Sequence, residues 1–314
     1  MPSYISKDLN AKALIPWNED DFRSLGIPRD LEIHENGAEA YSNVADNHRA
    51  AKNLDIYFIS NQRNSERNLD LSFRVSGCIP ERYDPLDGSI SELLQWKTEG
   101  QRTMLSLKMA PHQALFIVFE RPITDSLVNR PELPVRELDC PGLQAPWSVQ
   151  FDTAFGGPVQ PVVFPALTSW SLQATPDIRY YSGTAVYKGQ FTLSAPLEKT
   201  NTYQLHLGKV ADLAEIQING IPCGTAWTPP FTVAVTNALQ QGLNTLEIRV
   251  TNTWANRLEG DALLPETQRL TWTDGKYRKK TRDLLEAGLL GPLKLTVTGI
   301  PEPIIISTKK KTKK

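Results

Sequence analysis

The sequence predicts an all-β protein built as two β-sandwich or jelly-roll lobes. Three observations predict this class: apolar and polar residues alternate over short segments, turn signals recur roughly every ten residues, and no long helical period occurs. The length of 314 residues suits about two domains, and 40% hydrophobic residues suffice for buried cores.

The first lobe is predicted over residues 51–121. Its first strand is LDIYFIS at residues 54–60, and an apolar run at 115–119 is typical of a fully buried strand. Asp87-Gly88 is a hairpin signal within the lobe. Residues 1–50 are more polar and hold too few apolar positions for a domain, so we expect a partial segment left from a preceding domain.

The second lobe is predicted over residues 147–300, after a proline-rich linker at 122–146 that holds five prolines. Alternating apolar residues mark its strands, and Asn219-Gly220 is the pair that a type I′ hairpin turn prefers. The last segment, 301–314, is expected to be a disordered basic tail because it carries Lys309, Lys310, Lys311, Lys313 and Lys314.

Charge and cysteine usage exclude several classes of protein. The net charge is -1, and without the five lysines of the tail the rest of the chain carries about -6, which argues against a nucleic-acid partner. No apolar run of about 18 residues predicts a transmembrane segment. Cys78, Cys140 and Cys223 are odd in number and far apart, so neither a disulfide framework nor a metal site is predicted.

Aromatic residues supply the candidate binding site, since five of the seven tryptophans fall in the second lobe. A sugar ring packs its apolar C–H face on an aromatic plane, while nearby polar side chains bond its hydroxyl groups. The candidate carbohydrate-binding residues are Trp227, Trp254, Asn256, Arg257, Asp261 and Tyr181. The alternative is that the tryptophans plug the ends of the sandwich and Arg257 holds a loop through a salt bridge.

A pair of carboxylates offers a catalytic alternative, because cleavage of a glycosidic bond needs an acid together with a base or nucleophile. Glu259 and Asp261 lie in NRLEGD, which we interpret as a loop where the two groups can approach one another. Exposure to solvent, or binding of a structural cation, is the other interpretation of this pair.

Four stretches carry a resemblance to a known family: YYSGTAVYKGQF (180–191), LGKVADLAEIQINGIPCGTAWTPPF (207–231), LNTLEIRVTNTWANRLEGD (243–261) and LLEAGLLGPLKL (284–295). They resemble the galactose-binding-like C-terminal domain of family 106 α-L-rhamnosidases. They are similar, more distantly, to the sugar-binding domain of family 2 glycosidases. LDIYFISNQ, FRVSG, YDPLDGSI and FIVF resemble the β-domain that precedes it, so the likeness covers nearly all of residues 20–298. Glu259 departs from the pattern, where an aliphatic residue is expected.

The resemblance implies which parts lie elsewhere. In that family the catalytic carboxylates and a calcium site lie on a (β/α)-barrel that precedes these domains, so we assign no catalytic residue and no cofactor to this chain. Its implied partners are a carbohydrate, such as a rhamnose-containing oligosaccharide or polysaccharide, and a catalytic barrel encoded upstream. The parent enzyme would act in the periplasm or outside the cell, whereas MPSYISKDLN lacks the order of a signal peptide. The compartment therefore stays open.

Three hypotheses remain. The chain is the non-catalytic, carbohydrate-binding C-terminal portion of an α-L-rhamnosidase-like hydrolase, or a stand-alone glycan-binding protein, or a small complete glycosidase that uses Glu259 and Asp261.

Overall fold

A computed structural model describes residues 26–123, 134–144, 146–198, 200–273 and 283–299. It divides the chain into two compact units. The first falls within Met1–Met109 and Ala114–Asn129, and the second within Ala110–Gln113 and Arg130–Lys314. The predicted tail at 301–314 lies outside the described residues.

The described residues of the first unit form ten strands. They are β1 (Leu31–Glu35), β2 (Ala38–Glu39), β3 (Val44–Ala51), β4 (Leu54–Asn61), β5 (Arg67–Phe73), β6 (Cys78–Tyr83), β7 (Ile90–Glu92), β8 (Trp96–Glu99), β9 (Arg102–Met109) and β10 (Ala114–Pro122).

Two antiparallel five-stranded sheets, ordered β2-β1-β5-β9-β8 and β3-β4-β10-β6-β7, form the first unit. Their inner faces share one hydrophobic core, in which Tyr57 of one sheet meets the ring of Phe73 of the other at 4.8 Å. The alternating apolar residues of the sequence supply this core, because successive side chains of a strand point to opposite faces. Asp87-Gly88 lies in the turn between β6 and β7, as predicted.

Residues 31–51 correct one prediction, because they are strands of the first sandwich rather than a remnant of another domain. β1 pairs with β5, and β3 pairs with β4 along its full length. The prediction failed because β3 is polar, as edge strands often are. Residues 1–25 lie outside the described residues.

A buried arginine braces the first unit. Arg67 is almost fully enclosed, and its Nη2 and Nε lie 3.0 and 3.2 Å from the carboxylate of Glu35. The guanidinium also donates to the main-chain oxygens of Ala40 and Ser42. These hydrogen bonds from Arg67 lower the pKa of Glu35 from its ordinary value, against the opposing effect of partial burial.

In the part of the second unit that the structure describes, there are twelve strands and two α-helices. They are β11 (Arg136–Leu138), β12 (Trp147–Phe151), β13 (Val162–Phe164), α1 (Pro176–Arg179), β14 (Thr184–Leu193), β15 (Thr202–His206), β16 (Lys209–Ala211), β17 (Leu213–Ile218), β18 (Ile221–Ala226), β19 (Thr232–Ala234), β20 (Gly242–Thr251), α2 (Ala255–Ala262), β21 (Gly288–Gly291) and β22 (Lys294–Thr298). Short 3₁₀ turns occupy Thr153–Phe155, Trp170–Leu172 and Glu266–Gln268.

A six-stranded sheet, β13-β12-β14-β20-β17-β18, faces a four-stranded sheet, β11-β22-β15-β19. A third, two-stranded sheet pairs β16 with β21. Ten residue pairs join β14 to β20, and large aromatic residues such as Trp147, Trp170 and Tyr187 fill the core. Asn219 and Gly220 both have positive φ between β17 and β18, which confirms the predicted hairpin. The all-β class with two sandwich units is therefore confirmed.

Residues 136–144 correct the predicted linker. β11 pairs with β22, and Cys140 and Leu143 are buried in the core of the second unit. Proline content alone was misleading here, because prolines flank β11 without interrupting it. Residues 124–133 lie outside the described residues, so the predicted linker stays a prediction for them. In the described part of the chain, no helix is long and apolar enough to cross a membrane.

Candidate functional site

Five connections meet at one end of the six-stranded sheet of the second unit, and we call this region the loop end. They are the segments that follow Phe151, precede Thr184, precede Leu213, follow Ala226 and follow Thr251. The register places them together, because Thr184 and Leu213 both pair with Thr251, while Phe151 pairs with Ala185 and Ala214 with Ala226. Every predicted site residue lies in or beside these connections.

Two aromatic side chains form an exposed pair at the loop end. Trp254, which directly precedes α2, is 48% exposed, and Phe155 from the 3₁₀ turn after β12 is 39% exposed. Their ring centroids lie 5.8 Å apart in an edge-to-face arrangement. Leu270 adds to this apolar surface, since it reaches the Gly156 position beside Phe155. Exposed apolar groups gathered in this way are typical of a binding surface.

Trp227 is also exposed, at 58%, in the connection between β18 and β19. It shares the loop end with Trp254, but no ring contact joins the two in the described parts of the chain. The structure thus keeps both tryptophans of the predicted site available to solvent. Trp147 and Trp170 are fully buried, so the alternative interpretation, in which tryptophans fill the sandwich, applies to those two.

The segment predicted as a loop is the helix α2, and this changes the roles of three predicted site residues. Asn256, Arg257 and Asp261 are all buried, on the side of α2 that faces the sandwich. They cannot touch a sugar at the surface as they stand. Gly260 permits the close packing, because a Cβ there would lie 2.6 Å from the side chain of Tyr180.

Asn256 ties α2 to the segment before β21. Its Nδ2 donates to the main-chain oxygen of Leu285 at 2.8 Å, and its Oδ1 accepts from the Leu285 N–H at 2.8 Å. Two hydrogen bonds to one residue fix both the position and the tilt of the start of the helix. Trp254 lies two residues away, so this brace orients its ring.

Arg257 connects α2 to the turn that carries Phe155. Its Nη2 donates to the main-chain oxygen of Phe155 at 3.2 Å, and its main-chain N–H donates to Ser182 Oγ at 3.1 Å. Burial lowers the pKa of Arg257 from its usual value, and the negative charge of Asp261 opposes that effect. The two charged groups therefore attract one another, although Arg257 Nε and Asp261 Oδ1 are buried without a hydrogen-bond partner among the described residues.

Asp261 fixes the chain after α2. Its Oδ2 accepts from the main-chain N–H of Thr271 at 2.7 Å and from Thr271 Oγ1 at 2.6 Å. Thr271 lies between Leu270 and Trp272, and both neighbours are strongly exposed. Asp261 thereby holds Leu270 at the surface and adds one more exposed apolar side chain, Trp272.

Tyr181 fixes the turn that carries Phe155 from the other side. Its hydroxyl donates to the main-chain oxygen of Thr184 at 2.8 Å and accepts from the Asp152 N–H at 3.1 Å. Burial raises the pKa of this phenol, so it stays a hydrogen-bond donor at neutral pH. Its ring packs on Phe151 and Trp170 rather than on the surface.

Glu259 and Asp261 do not form a facing pair. Residues two apart on an α-helix point about 200° apart around its axis, and Asp261 is fully buried while Glu259 is partly exposed. The expectation that the two carboxylates lie close together is wrong, because the segment is helical. Among the described residues, no three His, Cys, Asp or Glu side chains are gathered as metal ligands would be.

Phe155 is the surface residue that the sequence did not reveal. It follows a strand in the sequence DTAFGG, where nothing distinguishes an exposed ring from a buried one. Only the packing against Trp254 identifies it. The loop end therefore combines an exposed aromatic pair with a buried polar network that holds it.

Two family models match different units of the chain. The family model for α-L-rhamnosidase of glycoside hydrolase family 106 matches residues 12–98. The model for the galactose-binding-like domain of glycosyl hydrolase family 2 matches residues 174–284. A proposed beta-glucuronidase of Formosa agariphila is 38% identical over 179 residues, covering 49% of this chain and 15% of that protein.

Among solved structures, the rhamnosidase from Novosphingobium sp. PP1Y is similar with a TM-score of 0.78 and 30% identity. The match covers 89% of this chain and 26% of that protein, so the chain spans about a quarter of it. A Ruminococcus gnavus beta-glucuronidase aligns with a TM-score of 0.37 and 18% identity, over 56% of this chain and 30% of that protein. The chain is thus related to glycoside hydrolases, and its predicted resemblance to the α-L-rhamnosidase family and to the family 2 galactose-binding domain is confirmed.

Proposed function

We propose that this chain is the non-catalytic, carbohydrate-binding portion of an α-L-rhamnosidase-like glycoside hydrolase. The observation that carries the proposal is the exposed Trp254–Phe155 pair at the loop end. Both rings are partly exposed to solvent and lie in connections that the rigid sandwich supports. Binding residues are commonly placed on such connections. The glycoside hydrolase relatives supply the class of ligand.

The six predicted site residues divide into two roles under this proposal. Trp254 and Trp227 contact the sugar, together with Phe155. Positioning is the role of the four buried residues, which are Tyr181, Asn256, Arg257 and Asp261. Arg257 and Tyr181 hydrogen-bond the main chain of the turn that carries Phe155, and Asp261 bonds the segment that carries Trp272. Asn256 instead ties the helix that follows Trp254 to Leu285.

The affinity follows from the exposed area. About half of a tryptophan surface of roughly 200 Å² remains available on Trp254, and covering about 100 Å² at ~25 cal/mol per Å² gives ~2.5 kcal/mol. A shallow site of this kind binds with a Kd on the order of 10⁻⁴ to 10⁻³ M, or about 4–5.5 kcal/mol. The aromatic contact therefore contributes about half of the binding free energy.

The test is calorimetric titration of the chain with a rhamnose-containing disaccharide. Trp254→Ala should abolish detectable binding, whereas Trp254→Phe should retain part of it because a ring remains. Ile221→Ala is the matched control, since Ile221 is 45% exposed at the opposite end of the sheet, where β17 turns into β18. Unchanged binding by Trp254→Ala would refute the assignment of the site.

The non-catalytic part of the proposal has its own test. Glu259 and Asp261 point in different directions, and the chain spans only 26% of the similar rhamnosidase, so we place catalysis in a separate barrel domain. The isolated chain should not hydrolyse aryl α-L-rhamnosides above the rate in buffer. If the chain does hydrolyse them, and Glu259→Gln or Asp261→Asn removes that activity, the result would instead support a small complete glycosidase. A coding region upstream that supplies the barrel would distinguish an accessory portion from a stand-alone glycan-binding protein.

A further inference from the structure

A groove crosses the outer face of the six-stranded sheet, away from the hydrophobic core. It has a volume of about 760 Å³, within the usual range of about 300–1,000 Å³ for ligand sites. Gly142 and Pro146 form one border, and Gly220 in the β17–β18 turn lies at another. The groove uses none of the residues assigned above to the loop end.

The floor of the groove is a row of side chains that runs across five adjacent strands. Each member pairs directly with the next across a strand boundary, so all point to the same face. In order across the sheet, the row is Val163, Ser148, Lys188, Glu247 and Gln217. With about 4.8 Å between strands, the row is ~19 Å long.

A second, shorter row widens this floor. Gln190 of β14 pairs with Thr245 of β20, two residues along from the pair Lys188 and Glu247 on the same face. Gly142 lies against this row, because a Cβ at its position would come within 2.4 Å of the main-chain oxygen of Gln190. The floor is therefore two rows wide in its centre.

The chemistry of the floor is neutral and rich in hydrogen-bonding groups. Lys188 and Glu247 are the charged residues that line it, and their side chains lie 3.5 Å apart as an ion pair, so their charges cancel locally. The amide of Gln190 and the hydroxyl of Ser148 offer both donors and acceptors. Gln217 Nε2 donates to Gly220 O at 2.8 Å, which leaves its second N–H and its oxygen for a ligand, and Thr245 Oγ1 donates to Asn219 Oδ1 at 3.4 Å and keeps its acceptor capacity. This combination matches a ligand with many hydroxyl groups and no net charge.

We propose that this groove binds an extended, uncharged oligosaccharide chain. The length of the floor favours a chain over a single sugar, because a monosaccharide would cover only a small part of ~19 Å. The paired charges disfavour an acidic glycan, since Glu247 would face its carboxylates while Lys188 is already paired. The inference rests on the carbohydrate function proposed above, but it places a second site on a different surface.

The test compares an α-linked rhamnose hexasaccharide with the disaccharide by calorimetric titration of the full chain. In Trp254→Ala, where disaccharide binding is expected to vanish, the hexasaccharide should still bind. The double variant Gln190→Ala/Gln217→Ala should lower hexasaccharide affinity at least tenfold and leave disaccharide binding at the wild-type value. Gln204→Ala is the matched control, because Gln204 is exposed on the four-stranded sheet.

The outcomes separate the two sites. Loss of both ligands in Trp254→Ala would overturn the groove and uphold the loop end. If the glutamine variant weakens hexasaccharide binding and Trp254→Ala leaves disaccharide binding intact, the groove site is upheld and the loop-end site is overturned. If an oligogalacturonate hexamer binds as tightly as the neutral hexasaccharide, or the glutamine variant binds the latter like wild type, the groove assignment is wrong.

Discussion

Replacement of Asn256 tests whether a buried polar brace holds the loop end. Asn256→Ala removes two hydrogen bonds to Leu285, each of which contributes about 1 kcal/mol. Leu285 is partly exposed, so its main-chain groups can bond water in the variant and add no large penalty. We expect a loss of ~2 kcal/mol, or about 4–8 °C in the melting transition of a unit of this size.

Asn256→Asp sharpens the test because it preserves the shape of the side chain. The introduced carboxylate still accepts from the Leu285 N–H but opposes the Leu285 carbonyl, and burial disfavours its charge, so its pKa should rise in the folded state. Protonation restores the donor. The stability of this variant should thus be close to wild type below about pH 4 and fall as the pH rises through the folded-state pKa.

Differential scanning calorimetry of the full chain from pH 4 to 7.5 measures both variants against wild type. At pH 7 the Asp variant should be less stable than the Ala variant, whose deficit should not depend on pH. A deficit of the Asp variant that stays constant with pH, or is smaller than that of Ala, would refute the brace.

Two further predictions concern stability. Tyr187→Phe should lower the free energy of unfolding by ~2–4 kcal/mol in urea, because the hydroxyl accepts from Trp170 Nε1 at 2.6 Å and from the Leu289 N–H at 3.1 Å, and both donors are buried; a loss below 1 kcal/mol would contradict this. Glu35→Gln should destabilise the first unit by ~2–3 kcal/mol at pH 7, since it leaves the buried charge of Arg67 without its carboxylate. The hydrogen bonds from Arg67 lower the pKa of Glu35, so the wild type should lose this contribution as the pH falls below 4.5, and the gap to the variant should close in urea titrations at lower pH.

The strands of both cores could be predicted from the sequence, because burial on one face imposes a period of two. LDIYFIS shows this for β4, and the alternation along β20 places Leu246, Ile248 and Val250 inward. The polar edge strand β3 could not be predicted in this way. Asp46 and His48 lie opposite the buried Ile59 and Tyr57 of β4, on the face that packs inward. Because these positions of β3 are polar, the sequence shows no alternation of apolar residues there.

The site was predictable only in part, for a related reason. The composition of TNTWANRLEGD indicated a mixture of aromatic and polar groups, but it could not show which of them face solvent. α2 has eight residues and includes Gly260, so local propensity gave no helical signal. Once the segment is helical, Asn256, Arg257 and Asp261 turn inward, and Trp254 is the predicted site residue of this segment that stays at the surface.

The pairing of β11 with β22 places the first and last strands of the second unit side by side, with Arg136 opposite Val297. The two ends of this segment of chain therefore leave the sandwich from one edge of one sheet. A fold with adjacent ends can be inserted into another chain, or circularly permuted, without breaking a strand of its interior. Evolution can join such a unit to catalytic domains of different kinds, and the separate matches of the two units to two glycosidase families are consistent with that modular history.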